Sequence, residues 1–265
     1  MATAFPGTRP LLFTVEFRRK MASLTQSQRR EWLASLAPRA RSGEAHATQE
    51  LREVARGCRL TLVDHVEREL GPFDPLHLRA LLEVPRERFV HPDDIERSAD
   101  DTPLPLDSVG LATVSAPHAY LLSFRLLDLG LGDSLVELGT GSGYGAALAS
   151  YIVGPKGRVR SFEIDRSLAQ WAIRNLADVP NVVVSQADAE ITAPAWEGAS
   201  KIVVTFAIEE LPQAWLDAIP EGGRLVAPVG RPDQDQRLVL VTRLAGELVR
   251  TEHGAVRYVA NRSAR

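Results

Sequence analysis

The chain is short of the residues that staple small proteins or hold metals. Its 265 residues include one cysteine, Cys58, which excludes an intramolecular disulfide framework and a multi-cysteine metal site. Cys58 falls on the apolar stripe of an expected helix, the setting of a buried structural thiol. Aromatic residues make up only 6%, and Trp32, Trp171, Trp196 and Trp215 are dispersed, so no stacking platform for nucleic acid is formed. Charge of one sign is also lacking: 31 Lys and Arg against 34 Asp and Glu leave a net −3, with no bulk attraction to nucleic acid or an anionic membrane. No apolar run is long enough to span a bilayer, and MATAFPGTRPLLFTVEFRRK lacks the core of a secretory signal. The histidines have no metal-ligand spacing, and neither a P-loop, a GxSxG elbow nor an internal repeat occurs. A cytoplasmic protein with no nucleic-acid, membrane or metal partner is expected.

What is present divides into two rhythms. Residues 1–23 carry few structural signals and read as a loose or partner-dependent arm. Thr25 with Gln28 forms a capping box for a helix running to Leu36, before Pro38. The stretch RARSGEAHAT reads as a linker. Leu51, Val54, Cys58, Leu62, Val66 and Leu70 then mark one face of a long helix, stopped by Gly71-Pro72. A third helix opens on Asp74 and Pro75 and ends at Val84-Pro85.

After residue 130, short apolar runs alternate with helical patterns: SLVEL (134–138), RVRSFEI (158–164), NVVVSQ (181–186), KIVVTF (201–206) and RLVAPV (224–229). Strands buried on both faces read this way, joined by right-handed crossovers. RLVLVTR (237–243) and AVRYV (255–259), with a turn around Gly246, are expected to finish the sheet as an antiparallel pair. The fold class is therefore α/β, a doubly wound, Rossmann-like, seven-stranded sheet, mostly parallel, with an N-terminal helical extension. The division is an arm and helical extension over 1–72 and a main domain over 73–265.

The first strand ends in VELGTGSGYG. Gly139, Gly141 and Gly143 permit a tight turn and close approach of a ligand to the backbone. A glycine turn alone also suits a dinucleotide. Glu137, two residues before the first glycine, argues otherwise, because a pyrophosphate would be repelled by an acid there while an ammonium group would be held. Glu163 ends the second strand, twenty residues past Gly143, where an acid can accept both hydroxyls of a ribose. Asp188 follows the third strand, placed for an exocyclic adenine amine. Ammonium, ribose and adenine partners in that order describe S-adenosylmethionine.

Six segments then carry a resemblance: LLEVPRERFV (81–90), DTPLPL (101–106), ATVSAPHAY (112–120), VELGTGSGYG (136–145), VTFAIEELP (204–212) and EGGRLVAPVG (221–230). With them the chain resembles the protein-L-isoaspartate O-methyltransferases, within the class I S-adenosylmethionine-dependent methyltransferases, from about Leu76 to Val259. The resemblance implies that Ser115 is the active-site serine. It adds Thr140 and Ala189 to the cofactor set and places Thr113, His118, Thr205, Gln236 and Val259 around the substrate. The implied client is an isoaspartyl or aspartyl residue in a protein or peptide, with the helical extension available as a brace or a homodimer face. A carboxylate acceptor is already ionised at neutral pH, so a serine that aligns it is chemically sufficient, with no general base. Ser115 also reads as a helix N-cap, a role compatible with that one.

The chain departs from the family pattern in five places. DSVGLAT is two residues longer than the usual link ahead of the serine. ADA stands for GDG, TFAIEELP replaces a run of alanines, and VRYVANRSAR lacks the usual proline and leucine at the end. An extra N-terminal segment precedes the family's start. These departures keep two alternatives beside repair of isoaspartyl proteins: esterification of an aspartate in a biosynthetic peptide, and a non-catalytic S-adenosylmethionine-binding subunit.

Overall fold

In the computed structural model, residues 15–196 and 198–262 are described. Eight α-helices and a seven-stranded sheet follow one another along this length. The capping box forms as expected: Thr25 Oγ1 accepts from the Gln28 backbone at 3.2 Å and Gln28 Oε1 accepts from the Thr25 backbone at 2.8 Å. The helix it opens, α2 (Gln26–Arg41), runs through Pro38 instead of stopping before it. A proline in the last turn costs the helix one donor, and the Ser42 and Gly43 amides close the end on Pro38 and Ala40 carbonyls. The linker therefore shrinks to three residues before α3 (Ala45–Leu70). Part of the expected loose arm is also helical: α1 (Val15–Ser23) buries Met21 against Gly57 of α3. The rest of that arm, residues 1–14, lies outside the described residues.

Met21, Leu33, Leu36, Ala47, Val54, Ala55 and Cys58 form a small core of the extension. Leu62 and Val66, further along α3, belong instead to the main core with α4 (Pro75–Glu83) and the sheet. One helix thus serves both cores, so the extension is stitched to the main body. Among the described side chains of α1–α3, Leu70 is the one exposed large hydrophobic.

The sheet strands are β1 (Ser134–Leu138), β2 (Arg158–Glu163), β3 (Val182–Gln186), β4 (Lys201–Val204), β5 (Arg224–Val229), β6 (Gln236–Leu244) and β7 (Glu247–Val256). Their spatial order is β3-β2-β1-β4-β5-β6-β7, with the first five parallel and β6 antiparallel to both neighbours. Leu135 and Val203 face α5 (Pro117–Leu127) and α6 (Tyr144–Val153). Val136, Leu138, Ile202 and Val204 face Trp196 and Trp215 on the other side. Both faces are covered, which is why these strands read as unbroken apolar runs.

The terminal hairpin turns at Ala245 and Gly246, both left-handed, as a two-residue turn requires. Its second strand lies earlier than AVRYV suggested. β7 is ELVRTEHGAV, an edge strand exposed along almost all its length, so nothing in its composition announces burial. Residues 257–262 instead leave the sheet and run back across its top. There Ala207 donates to the Val259 carbonyl at 2.7 Å and Asn261 donates to the Ala207 carbonyl at 3.2 Å.

Candidate functional site

Strand order reverses between β1 and β4, where crossovers from adjacent strands leave in opposite directions and open a crevice at the carboxyl ends. A cleft of about 550 Å³, open mouth included, lies there. Gly139, Gly141, Phe162, Glu163, Ala187 and Ala189 line it, together with Leu111, Ala112, Thr113, Thr205, Phe206 and Val259–Arg262.

The glycine loop is shaped for close approach. Gly139 has φ +95°, and a Cβ there would collide with Thr205 Oγ1. Thr205 donates to the Gly139 carbonyl at 2.6 Å and to the Leu138 carbonyl at 3.0 Å, tying the loop to the end of β4. Thr140 is buried and exchanges a 2.6 Å hydrogen bond with Ser161. Gly143 is left-handed in turn and opens α6.

Glu163, at the tip of β2, reaches the cleft wall. Its Oε2 accepts from the Gly141 amide at 2.8 Å and its Oε1 from the Asp165 amide at 3.0 Å. Burial raises its pKa against those two bonds. Each carboxylate oxygen keeps a further lone pair for a diol. Asp188 stands between Ala187 and Ala189, both on the wall.

Glu137 lies elsewhere than the sequence suggested. Residues alternate across a strand, so Glu137 shares the α6 side of β1 with Leu135, behind the loop and not on the cleft wall. Its Oε2 accepts from Ser161 of β2 at 2.6 Å, and its Oε1 lies where a Cβ on Gly145 would be. Gly145 is therefore needed to admit this carboxylate, a role no spacing rule signals. With 1% exposure and no cation beside it among the described residues, burial pushes Glu137 up to about 8.

At the cleft, a two-residue bridge pairs Leu104–Pro105 with Thr113–Val114, and the chain then turns through Ser115 into α5. Ser115 is not the cap of that helix. Ala116 holds that position without a side-chain bond, and Asp101 caps from a distance, Oδ1 accepting from the His118 amide at 3.0 Å. Asp101 Oδ2 also meets His118 Nδ1 at 2.8 Å. Burial opposes ionisation of Asp101, but the His118 bonds overcome it and hold its carboxyl below the usual range. His118 is thereby fixed at the corner.

Ser115 is held through its backbone and by a bond of its hydroxyl to Tyr120. Its carbonyl accepts from Arg86 Nη2 at 3.1 Å, and its amide donates to the Tyr120 hydroxyl at 3.3 Å. Arg86 is fully buried and donates as well to the carbonyls of Ser98, Asp100 and Thr102. One guanidinium thus gathers the segment 98–102 and the serine corner. Arg86 lies in VPRERFV and Asp101 in DTPLPL, so the motifs were visible while these reaches of 29 and 17 residues were not.

Gln236 departs from the expected substrate role, whereas Val259 is on the cleft. Gln236 has no exposure, its Nε2 donates to the carbonyls of Arg231 and Gln234, and its Oε1 accepts from the Tyr258 amide at 2.7 Å. A side chain saturated in this way holds the chain beside the cleft and offers nothing to a peptide. Val259 lines the cleft, but its carbonyl is already paired with Ala207. Thr113 and Thr205 do line the cleft. Among the described residues, no cluster of side chains could hold a metal ion, and no helix is long and apolar enough to cross a membrane.

Comparison with known proteins gives the following. Residues 66–265 match the profile of the family described as protein-L-isoaspartate(D-aspartate) O-methyltransferase (PCMT). A protein-L-isoaspartate O-methyltransferase of Methanosarcina mazei is 33% identical over 220 residues, covering 82% of this chain and 88% of that protein. A solved protein-L-isoaspartate O-methyltransferase superposes with a TM-score of 0.68 at 27% identity, over 76% of this chain and 65% of that one. A Plasmodium falciparum structure described as a protein-L-isoaspartate O-methyltransferase in complex with S-adenosyl-L-homocysteine shares the fold, with a TM-score of 0.67 at 23% identity, over 76% of this chain and 97% of that one.

Proposed function

The chain belongs to the protein-L-isoaspartate O-methyltransferase family, and from that membership we propose that it is an S-adenosylmethionine-dependent carboxyl methyltransferase acting on isoaspartyl residues of polypeptides. The observation that carries the reading is the composition of one cleft. Glu163, Gly139 and Gly141 line it together with Thr113, and the chain runs on from Thr113 through Ser115 into α5.

The residues present fit the cofactor. Gly139 and Gly141 bring backbone to the cleft wall, Glu163 offers further lone pairs there, and Asp188 lies in sequence between the wall residues Ala187 and Ala189. S-adenosylmethionine supplies a methyl group already activated on a sulfonium sulfur. Glu163 would accept the ribose hydroxyls, Asp188 and Ala189 would frame the base, and Gly139, Thr140, Gly141 and Gly143 would give backbone contact. Glu137 lies beneath the loop with its pKa pushed up to about 8 by burial, and a cation bound above it would favour its ionised form.

The acceptor carboxylate is ionised at neutral pH and needs no base. Ser115 donates a hydrogen bond that aligns one oxygen of the acceptor with the methyl group, and His118 and Thr113 flank it. Arg86, Tyr120 and Asp101 keep that corner still. The N-terminal helices serve as a brace and not as a dimer face in this reading, since their apolar sides are already buried against the chain. The setting is the cytoplasm, consistent with the lone buried thiol of Cys58.

The test is calorimetric titration of the full chain and of Glu163→Ala with S-adenosyl-L-homocysteine. Saturable binding by the wild type, weakened roughly 10- to 100-fold in the variant, is expected for loss of hydrogen bonds to a charged group. Equal affinity for both would remove Glu163 from the cofactor site.

A further inference from the structure

Two of the departures seen in the sequence, the long DSVGLAT link and the VRYVANRSAR end, meet in the structure. Arg262 Nη2 donates to Asp107 Oδ2 at 2.7 Å, and Arg262 Nη1 donates to Asp165 Oδ2 at 2.9 Å. The three side chains are 20%, 23% and 35% exposed, respectively, so the fork sits at the surface without being fully solvated.

Each aspartate divides its oxygens. Asp107 Oδ1 accepts from the Val109 and Leu111 amides and shapes the loop that becomes the Leu111–Thr113 wall and then Ser115. Asp165 Oδ1 accepts from the Ser167 and Leu168 amides, capping α7 (Arg166–Asn175) two residues beyond Glu163. The second oxygen of each is left for Arg262. The tail that carries Arg262 is anchored at Ala207 and itself lines the cleft. A ring therefore closes around the cleft mouth, from the acceptor-side loop through Arg262 to the ribose-side turn.

We propose that Arg262 is a positioning residue that latches the cofactor cleft: its two ion pairs part to admit S-adenosylmethionine and to release the product, and they set how long either stays. The inference rests on the cofactor reading above. A planar fork with two parallel donors suits the task, because it bridges two carboxylates at once where a lysine would reach one. The ion pairs are partly exposed, so they are weak enough to open in each cycle. In the closed state they hold the Asp107 loop, and with it Thr113 and Ser115, over the cofactor.

The experiment measures the rate of S-adenosyl-L-homocysteine release by stopped-flow displacement from the full chain, from Arg262→Gln and from Asp107→Asn. Asparagine retains the oxygen that shapes the 109–111 turn, so the second variant removes the ion pair and leaves the loop bonds. Arg262→Gln should release the product about tenfold faster, the scale of two partly exposed ion pairs, and Asp107→Asn, which removes one of them, about threefold faster. Wild-type release should also quicken between about 0.01 M and about 1 M salt, as the screening length falls from about 30 Å to about 3 Å, while Arg262→Gln should respond much less. Unchanged release rates and an unchanged salt response in both variants would overturn the latch and leave the cofactor reading intact. A wild type that binds no S-adenosyl-L-homocysteine would overturn both.

Discussion

Replacing Ser115 with alanine removes a hydroxyl that bonds to Tyr120, from a corner whose backbone Arg86 and Tyr120 also hold. Ser115→Ala should therefore fold normally, bind S-adenosyl-L-homocysteine within about twofold of wild type, and lose about 100-fold in kcat, the scale of a misplaced reacting group. Calorimetry with steady-state methylation checks the split, and equal loss of both would place the serine in the cofactor site or the fold. Glu137 gives a pH signature. Its folded pKa of about 8 lies above the ordinary carboxylate value of 4.5, so the folded state holds its proton more tightly than the unfolded one. The associated stability is present below about pH 4.5 and fades as pH rises through about 8. Glu137→Gln keeps the shape without the titration, so its melting temperature should gain on wild type from pH 5 to pH 8.5. A constant difference across that range would show that Glu137 is ionised throughout. Arg86→Met should cost several kcal/mol in denaturant unfolding, because it strips four buried or half-buried carbonyls of their donor, at about 1–3 kcal/mol for each left unsatisfied. At this scale the sequence was uneven. Glu163 stood out from its place at a strand end, while the orientation of Glu137 depends on which face of β1 is odd, and the saturation of Gln236 depends on loops it meets only in the folded chain.

Among the elements, α2 holds the serine corner at one remove. Gln26 Nε2 and Arg30 donate to Asp100, at 2.7 Å and 2.6 Å, and the next residue is the Asp101 that fixes His118. Arg30 is 41% exposed on its outer side, so Arg30→Ala should cost at most about 1 kcal/mol in stability. Its kcat should fall a few-fold with cofactor affinity unchanged, read by the same two measurements, and an unchanged kcat would confine α2 to a purely structural brace. Elements buried on both faces were the legible ones. SLVEL and RLVAPV coincide with β1 and β5 residue for residue, and the Thr25 capping box and the Asp74-Pro75 start form as read. β7 was misplaced because its exposed edge alternates nothing apolar, and Pro38 was overread because a proline in a final turn loses only one bond.

For the whole molecule, the apolar rhythm of five parallel strands carried the sheet, its doubly wound layers and the position of the cleft at the switch point. The stitching of the extension into the main core through Leu62 and Val66 blurs the boundary expected at residue 72. The closure of the tail over the cleft, too, arises between Arg262 and aspartates 97 and 155 residues away, separations that no local pattern encodes. These long reaches converge on one functional claim, esterification of an isoaspartyl carboxylate. The most direct measurement incubates the full chain with methyl-labelled S-adenosylmethionine and a matched pair of peptides, one with isoaspartate and one with aspartate, and counts base-labile methyl ester. Label on the isoaspartyl peptide alone is the predicted result. Label on the aspartyl peptide alone, or on neither while S-adenosyl-L-homocysteine binds, would contradict the account and turn the search to a dedicated peptide client.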